Sequence, residues 1–228
     1  KRCPSVVRSQ GQPGTGKTYV GARVILKLGR EGKRGGVTAE SHKVIENLRL
    51  AAQTAAREAG VPLTVAHKGA DPETISDTYE SIGTRDSPLT FMDEGKLVGG
   101  TAWLWADPDI QDEVDYLFVD EAGQMALANT LAAGQAAKNI VLLGDPQQLD
   151  QPQKGSHPEG ADVATLMHVL GDHDTIEDHR GLFLDETWRL HPEICGFTSE
   201  VYYEGRLASR DDLTNQRING ATRFAGNG

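Results

Sequence analysis

The sequence predicts an α/β fold in which a parallel sheet carries helices on both faces. Three observations carry this. Short β-type runs alternate with stretches of helical period along much of the chain. Leu117 to Val119 and Ile140 to Leu143 are continuously apolar, as central strands covered on both sides must be. A glycine-rich loop joins the first strand to the first helix. The 228 residues, 38% hydrophobic and 25% charged, suffice to bury a core without cross-links. Cys3 and Cys195 are the only cysteines and form no C-x-x-C pair. That excludes a disulfide framework, a cysteine-rich zinc site and an iron–sulfur cluster, and fits a reducing, cytoplasmic compartment. No apolar run approaches the roughly 20 residues that span a bilayer, so a soluble protein with no membrane partner is expected. The chain has no initiator Met, and its first motif begins almost at residue 1, which suggests a fragment of something longer.

The elements follow in order. Val6 and Val7 start a strand; Val20, Val24, Ile25 and Leu28 then recur at helical spacing before Gly29. Residues 36–39 read as a second strand, and Ser41 as the N-cap of a helix with Val44, Ile45, Leu48 and Ala52 on one face. Further strands are predicted at 62–66, 96–101, 116–120 and 139–143, the last two in mid-sheet. Residues 67–95 and 150–162, richer in Gly, Pro, Asp and Ser, read as loops. Leu182 to Leu184 is another strand, and Pro192 starts a helix running to about Tyr203. A polar tail follows.

Net charge is −10, with 23 Lys/Arg against 33 Asp/Glu, which argues against a surface coated all over for nucleic acid. The distribution is uneven: residues 1–57 hold 12 basic and 3 acidic side chains, the remainder 11 and 30. A basic first quarter facing phosphates, or Lys and Arg on ordinary helix faces, would each give that count.

Gly11-Gln12-Pro13-Gly14-Thr15-Gly16-Lys17-Thr18 fits G-x-x-x-x-G-K-[ST] and lies between a predicted strand and a predicted helix. This defines a P-loop NTPase. Residues Gln12 to Thr18 would cradle the phosphates of ATP with backbone N–H groups at a helix N-terminus. Lys17 would reach the β/γ oxygens, and the Thr18 hydroxyl would bind Mg²⁺. Where the buried strand ends, Asp120 and Glu121 emerge, at the edge where open α/β sheets bind ligands. Asp120 can hold Mg²⁺ while Glu121 orients the attacking water. Gly144 to Leu149 presents an acid and two amides to the same crevice, one amide being suited to feel the γ-phosphate, although an Asp-Pro turn would look alike. Arg189, between a strand and a helix, can point across a crevice as a transition-state cation.

Several of these segments, in this order, resemble superfamily 1 helicases, in the branch of the nonsense-mediated-decay helicase and its DNA-replication relatives. Gly11 to Thr18 resembles motif I, Val37 to Ile45 motif Ia, and Val98 to Trp103 the following threonine-bearing motif. Asp120 to Gln124 resembles motif II, Gly144 to Leu149 motif III, and Glu186 to Glu193 the segment that usually reads Tyr-Arg-Met-His-Pro, here with Trp188 and Leu190. The resemblance implies a RecA-like motor domain over residues 1–180, and over 181–228 a crossing segment with the start of a second RecA-like domain. It implies that Gln148 senses the γ-phosphate, that Arg189 is an arginine finger, and that Ser41, His42 and Thr101 line a single-strand track. Single-stranded DNA, with RNA as an alternative, would be the partner, together with the remainder of the helicase chain. The segments around Asp120 and 147–160 also resemble bacterial proteins that join a RecB-like nuclease to such a helicase. The glutamine that reads adenine would precede residue 1; Gln10 does not replace it.

Other groupings carry less. His168, His173, Asp174 and His179 crowd one stretch without the spacing of a metal-ligand set. Trp103 and Trp105 flank Leu104 and suit either a base-stacking face or a packed segment. Lys33 and Arg34 suit a phosphate contact or a soluble turn. Two rival functions stay open: a nucleotide-dependent switch, and a P-loop ATPase without a nucleic-acid track.

Overall fold

The computed structural model describes residues 5–69, 73, 75–83, 85–148 and 163–216. An eight-stranded sheet forms its centre, every strand pair parallel. The strands are β1 (Ser5–Gln10), β2 (Gly35–Thr38), β3 (Val65–His67), β4 (Tyr79–Ser81), β5 (Leu97–Gly99), β6 (Tyr116–Val119), β7 (Asn139–Gly144) and β8 (Leu182–Phe183). Their order is β4-β3-β5-β2-β6-β7-β1-β8, so β6 and β7 are interior, as their unbroken apolar runs require.

Helices cover both faces. Helix α1 (Lys17–Arg30) and α2 (His42–Glu58) pack Ala22, Ile25, Ile45 and Leu48 onto Val37, Phe118, Val141 and Leu143. On the other face, α3 (Pro88–Asp93), α4 (Ala102–Trp105) and α5 (Leu127–Gly134) cover Val98 and Leu117. There α6 (Thr165–Leu170) covers Val119 and Leu142. Successive residues of β6 and β7 thus enter opposite cores, the two-residue period of a strand. Truncating one of these buried aliphatics to Ala costs about 2–5 kcal/mol.

The structure corrects several boundaries. The face that α1 buries is Gly21, Ala22, Ile25 and Leu26; Val24 is exposed and Val20 only half-buried. The reason is close packing: the small Gly21 lies flat against Leu143, where an added Cβ would stand 2.6 Å from its Cδ1. Residues 67–95 are not wholly loop, since they hold β4 and α3. The third strand begins at Val65 and not Pro62, which has no N–H to give a ladder. The segment 150–162, with Leu149, lies outside the described residues. Ser41 caps α2 as expected, its hydroxyl accepting from the Val44 N–H at 3.3 Å.

Beyond β8, β9 (Glu186–Thr187) and β10 (Ala208–Ser209) make a separate two-stranded sheet. Between them α7 (Pro192–Tyr202) starts at Pro192, as predicted. Phe183, Cys195, Tyr203 and Leu207 form a small core of their own. The main sheet therefore runs through Phe183, three residues past position 180.

Candidate functional site

The phosphate loop connects β1 to α1. Gly14 and Gly16 adopt φ of +96° and +88°, the left-handed region open to glycine, and this bends the chain back on itself. Gly16 is the N-cap of α1 and supplies no side-chain cap, so the first-turn N–H groups face the loop without a side-chain acceptor. This is a nest for an anion. Lys17 is 8% exposed and its Nζ donates to the Gly11 carbonyl at 2.6 Å. Burial lowers the pKa of its ammonium and Arg189 lowers it further, while Asp145, Glu121 and Asp120 hold it up.

Asp120 follows β6. Its N–H donates to the Thr38 carbonyl at 2.9 Å, which fixes it to the neighbouring strand, and its Oδ1 accepts from the Glu121 N–H at 3.0 Å. Burial, then Glu121, raises the Asp120 pKa to about 6, opposed by that N–H and by Lys17. A carboxylate so short of partners is suited to a divalent cation. Glu121 has φ of +52°, unusual for a side chain with a Cβ, and its Oε2 is buried without a hydrogen-bond partner among the described residues. Strain and an unpartnered oxygen thus coincide at the residue suited to orient water.

The loop after β7 is drawn onto this turn. Ala122 N–H donates to the Leu143 carbonyl at 2.9 Å, and an added Cβ on Gly123 would stand 2.0 Å from the Asp145 oxygen, so only glycine allows that approach. Gln148 accepts from Gln124 Nε2 at 2.8 Å, which ties the two loops through side chains. Asp145, 1% exposed, accepts from the Tyr203 hydroxyl and from the Gln147 N–H.

Arg189 comes to the same place from 175 residues away: an added Cβ on Gly14 would stand 2.6 Å from Arg189 Cβ and 3.2 Å from its Nε. Trp188 N–H donates to the Gly14 carbonyl at 3.0 Å and fastens this segment to the loop. Lys17, Thr18, Asp120, Glu121, Gln148 and Arg189 are therefore gathered at the C-terminal edge of β1, β6 and β7. Sequence reasoning missed Tyr203 and, although Gly123 and Gln124 fall within the Asp120–Gln124 segment, assigned those two no role, because their significance depends on contacts no local pattern announces.

Ser41, His42 and Thr101 stand at the same edge, beyond β2 and β5, which are joined by the Gly100 N–H to the Val37 carbonyl. His42 is exposed; its Nδ1 lies 3.1 Å from His67 Nε2, and His67 Nδ1 lies 2.7 Å from the Tyr79 hydroxyl. Thr101 caps α4 without a side-chain bond to it. The two tryptophans divide: Trp105 is fully buried and Trp103 is 90% exposed. Arg34 is elsewhere, bound in ion pairs to Asp93 and Glu113. Gln10 is a clamp, bonded through both amide atoms to Asp174 and Ile176. Among the described residues no helix is long and apolar enough to cross a membrane.

Fold and site together define a P-loop nucleotide-binding domain of RecA-like architecture. The AAA domain family matches residues 4–170, and the chain belongs to that family. It is 25% identical over 221 residues to the DNA replication ATP-dependent helicase/nuclease dna2 of Schizosaccharomyces pombe, covering 91% of this chain and 15% of that protein. The corresponding DNA2 of Gallus gallus is 25% identical over 221 residues, covering 93% and 21%. The 5'-3' DNA helicase ZGRF1 of Mus musculus is 29% identical over 122 residues, covering 52% and 6%. The chain thus spans between 6% and 21% of the length of these relatives. The fold is shared with the arterivirus nonstructural protein 10 helicase solved with DNA, at TM-score 0.54 and 15% identity, covering 91% of this chain and 42% of that one. The superfamily 1 resemblance read from the sequence is borne out by these findings.

Proposed function

We propose that this chain is the ATP-hydrolysing motor domain of a helicase that acts on single-stranded DNA, in replication or repair. The observation that carries the reading is the seating of Arg189 on Gly14, beside Lys17 and opposite the Asp120–Glu121 turn. The Arg189 Cβ, Cδ and Nε lie against the phosphate loop, within reach of the phosphates of a bound nucleotide. The names of the relatives, helicases and helicase/nucleases, support the same reading. A longer chain supplying the remainder of the helicase, and a nuclease domain as in those relatives, are the expected partners. The free, buried thiol of Cys195 is in keeping with a cytoplasmic setting.

Residues 1–180 would form the motor domain and 181–228 the crossing segment and start of a second RecA-like domain. The small core of Cys195, Tyr203 and Leu207 and the two-stranded sheet β9–β10 support a change of unit here, with Phe183 of the main sheet shared between the two.

In this reading Gln12 to Thr18 bind the phosphates of ATP through their backbone N–H groups, and Lys17 leaves the Gly11 carbonyl for the β/γ oxygens. Thr18 and Asp120 would hold Mg²⁺, which neutralises charge on the phosphate oxygens when bound. Glu121 orients the water that attacks in line, and Gln148 senses the γ-phosphate. Arg189 stabilises the charge that develops as the bond to the leaving phosphate breaks. Ser41, His42 and Thr101 contact the strand.

The test is steady-state ATP hydrolysis by the full-length protein with and without single-stranded DNA or RNA, with Lys17→Ala as the blank. Stimulation by a strand is expected, and the stronger stimulator names the substrate. ATP binding with a rate no strand changes would overturn the motor reading in favour of a switch or a plain ATPase.

A further inference from the structure

Trp103 is the most exposed large apolar side chain among the described residues, and it is held there. Two positions apart on α4, Trp103 and Trp105 point in nearly opposite directions, about 200° around the helix. Trp105 is buried to 0% exposure, and its indole N–H donates to the Val37 carbonyl at 3.2 Å and the Gly100 carbonyl at 3.0 Å. The buried indole thus anchors the four-residue helix and turns the other tryptophan out to solvent. Beside it lies a cleft of about 300 Å³ lined by Ala39, Glu40, Thr101, Met125 and Asn129, the size of a small-molecule site. Its walls are one flat ring, several alanines and the Met125 thioether. Its polar groups are the Thr101 hydroxyl, the Glu40 carboxylate and the Asn129 amide, the last two bonded to each other at 3.3 Å.

We propose that this cleft takes one unpaired nucleobase of the single strand, stacked on Trp103. The inference rests on the motor reading above and adds a base contact to the strand contacts given there. Glu40 makes the cleft hostile to a phosphate but able to accept from a base N–H, whether thymine N3–H or an exocyclic amine, while Asn129 can donate to a ring nitrogen or carbonyl. A ring on Trp103 is therefore favoured over the strand's backbone, and stacking tolerates any base because each has a π-face. The cleft also shares its walls with the nucleotide site. Ala39 follows Thr38, whose carbonyl accepts from Asp120, and Met125 N–H donates to the Glu121 carbonyl at 3.3 Å. A base seated there reaches both acidic residues through one hydrogen bond each.

The experiment compares binding of an oligothymidylate and an abasic strand of equal length to the full-length protein and to Trp103→Ala, with Trp103→Phe as the conservative variant. The parent is expected to prefer the base-bearing strand. Trp103→Ala should lose about tenfold in affinity for it and require about tenfold more strand for half-maximal stimulation of ATP hydrolysis. Its affinity for the abasic strand, its strand-free hydrolysis and its thermal midpoint should match the parent's, and Trp103→Phe should keep most of the preference. Equal binding of the base-bearing strand by parent and Trp103→Ala overturns the stacking proposal alone, as does an equal loss on both strands. A parent that hydrolyses ATP but binds neither strand overturns the motor reading, and this proposal with it.

Discussion

The Tyr203 hydroxyl donates to Asp145 Oδ2 at 2.8 Å, in a contact buried on both sides and spanning 58 residues. It joins the chain just beyond α7 to the loop that carries Gln148. Burial raises the pKa of the Asp145 carboxyl, and the Tyr203 and Gln147 hydrogen bonds draw it back down. Removing the phenolic hydroxyl leaves the Gln147 N–H as that carboxylate's one donor among the described residues.

Tyr203→Phe is therefore expected to cost about 1–3 kcal/mol, the price of leaving a buried polar group short of a partner. Thermal denaturation should report a midpoint several degrees lower. ATP turnover measured below that midpoint should fall as well, because the Gln148 loop loses one of its anchors. Unchanged stability and turnover would show that the contact is dispensable.

Glu121→Gln keeps the size of the side chain and its left-handed backbone but removes its ability to take a proton from water. ATP should bind as in the parent while hydrolysis falls by at least a hundredfold, about the lower end of what a general base contributes. A filter-binding assay beside a turnover assay separates the two. Normal turnover would remove Glu121 from that role.

Arg189→Ala should slow hydrolysis far more than it weakens ATP binding, by roughly a thousandfold or more if Arg189 acts on the transition state. Equal losses in turnover and affinity would mean that Arg189 only helps to hold the nucleotide. Because Arg189 also depresses the Lys17 pKa, its removal should leave the ammonium more firmly protonated.

His67 gives the clearest pH dependence. Burial lowers its pKa to about 4, reinforced by His42 and Arg49 and opposed by Glu46. A histidine depressed in the folded state contributes stability that is complete above the unfolded value of 6.5 and is lost as pH falls towards 4. At pH 5 the loss is about 2 kcal/mol. Asp120, raised to about 6, works in the opposite direction, so the comparison must be between the parent and His67→Gln. Chemical denaturation of both at pH 7.5 and pH 5 should show the parent's advantage shrinking on acidification. A constant difference would mean that His67 does not titrate between the folded and unfolded states.

Particular residues show how far the sequence could be read. The phosphate loop, the Ser41 cap and the Pro192 start depend on spacing within a few residues, and each stands where it was predicted. The runs at Leu117 and Ile140 announced interior strands because a strand covered on both faces has no polar side to display. The three-residue β4, with Glu80 and Ser81, gave no such signal, and its pairing with β3 depends on a partner twelve or more residues away. The rotation of α1 followed from the room Gly21 leaves for Leu143, which the spacing of valines does not report.

The sequence by itself determined the class of chemistry, because an anion nest, an ammonium and an acidic strand end are encoded in short contiguous segments whose geometry the local backbone enforces. Only the tertiary structure decided which groups meet: Arg189 on Gly14, Gln124 on Gln148, Tyr203 on Asp145, and which of two tryptophans faces solvent. Those pairings lie between 24 and 175 residues apart, or depend on which side of a short helix meets the core. They are set by close packing of distant elements, a property of the folded volume that local sequence spacing does not carry.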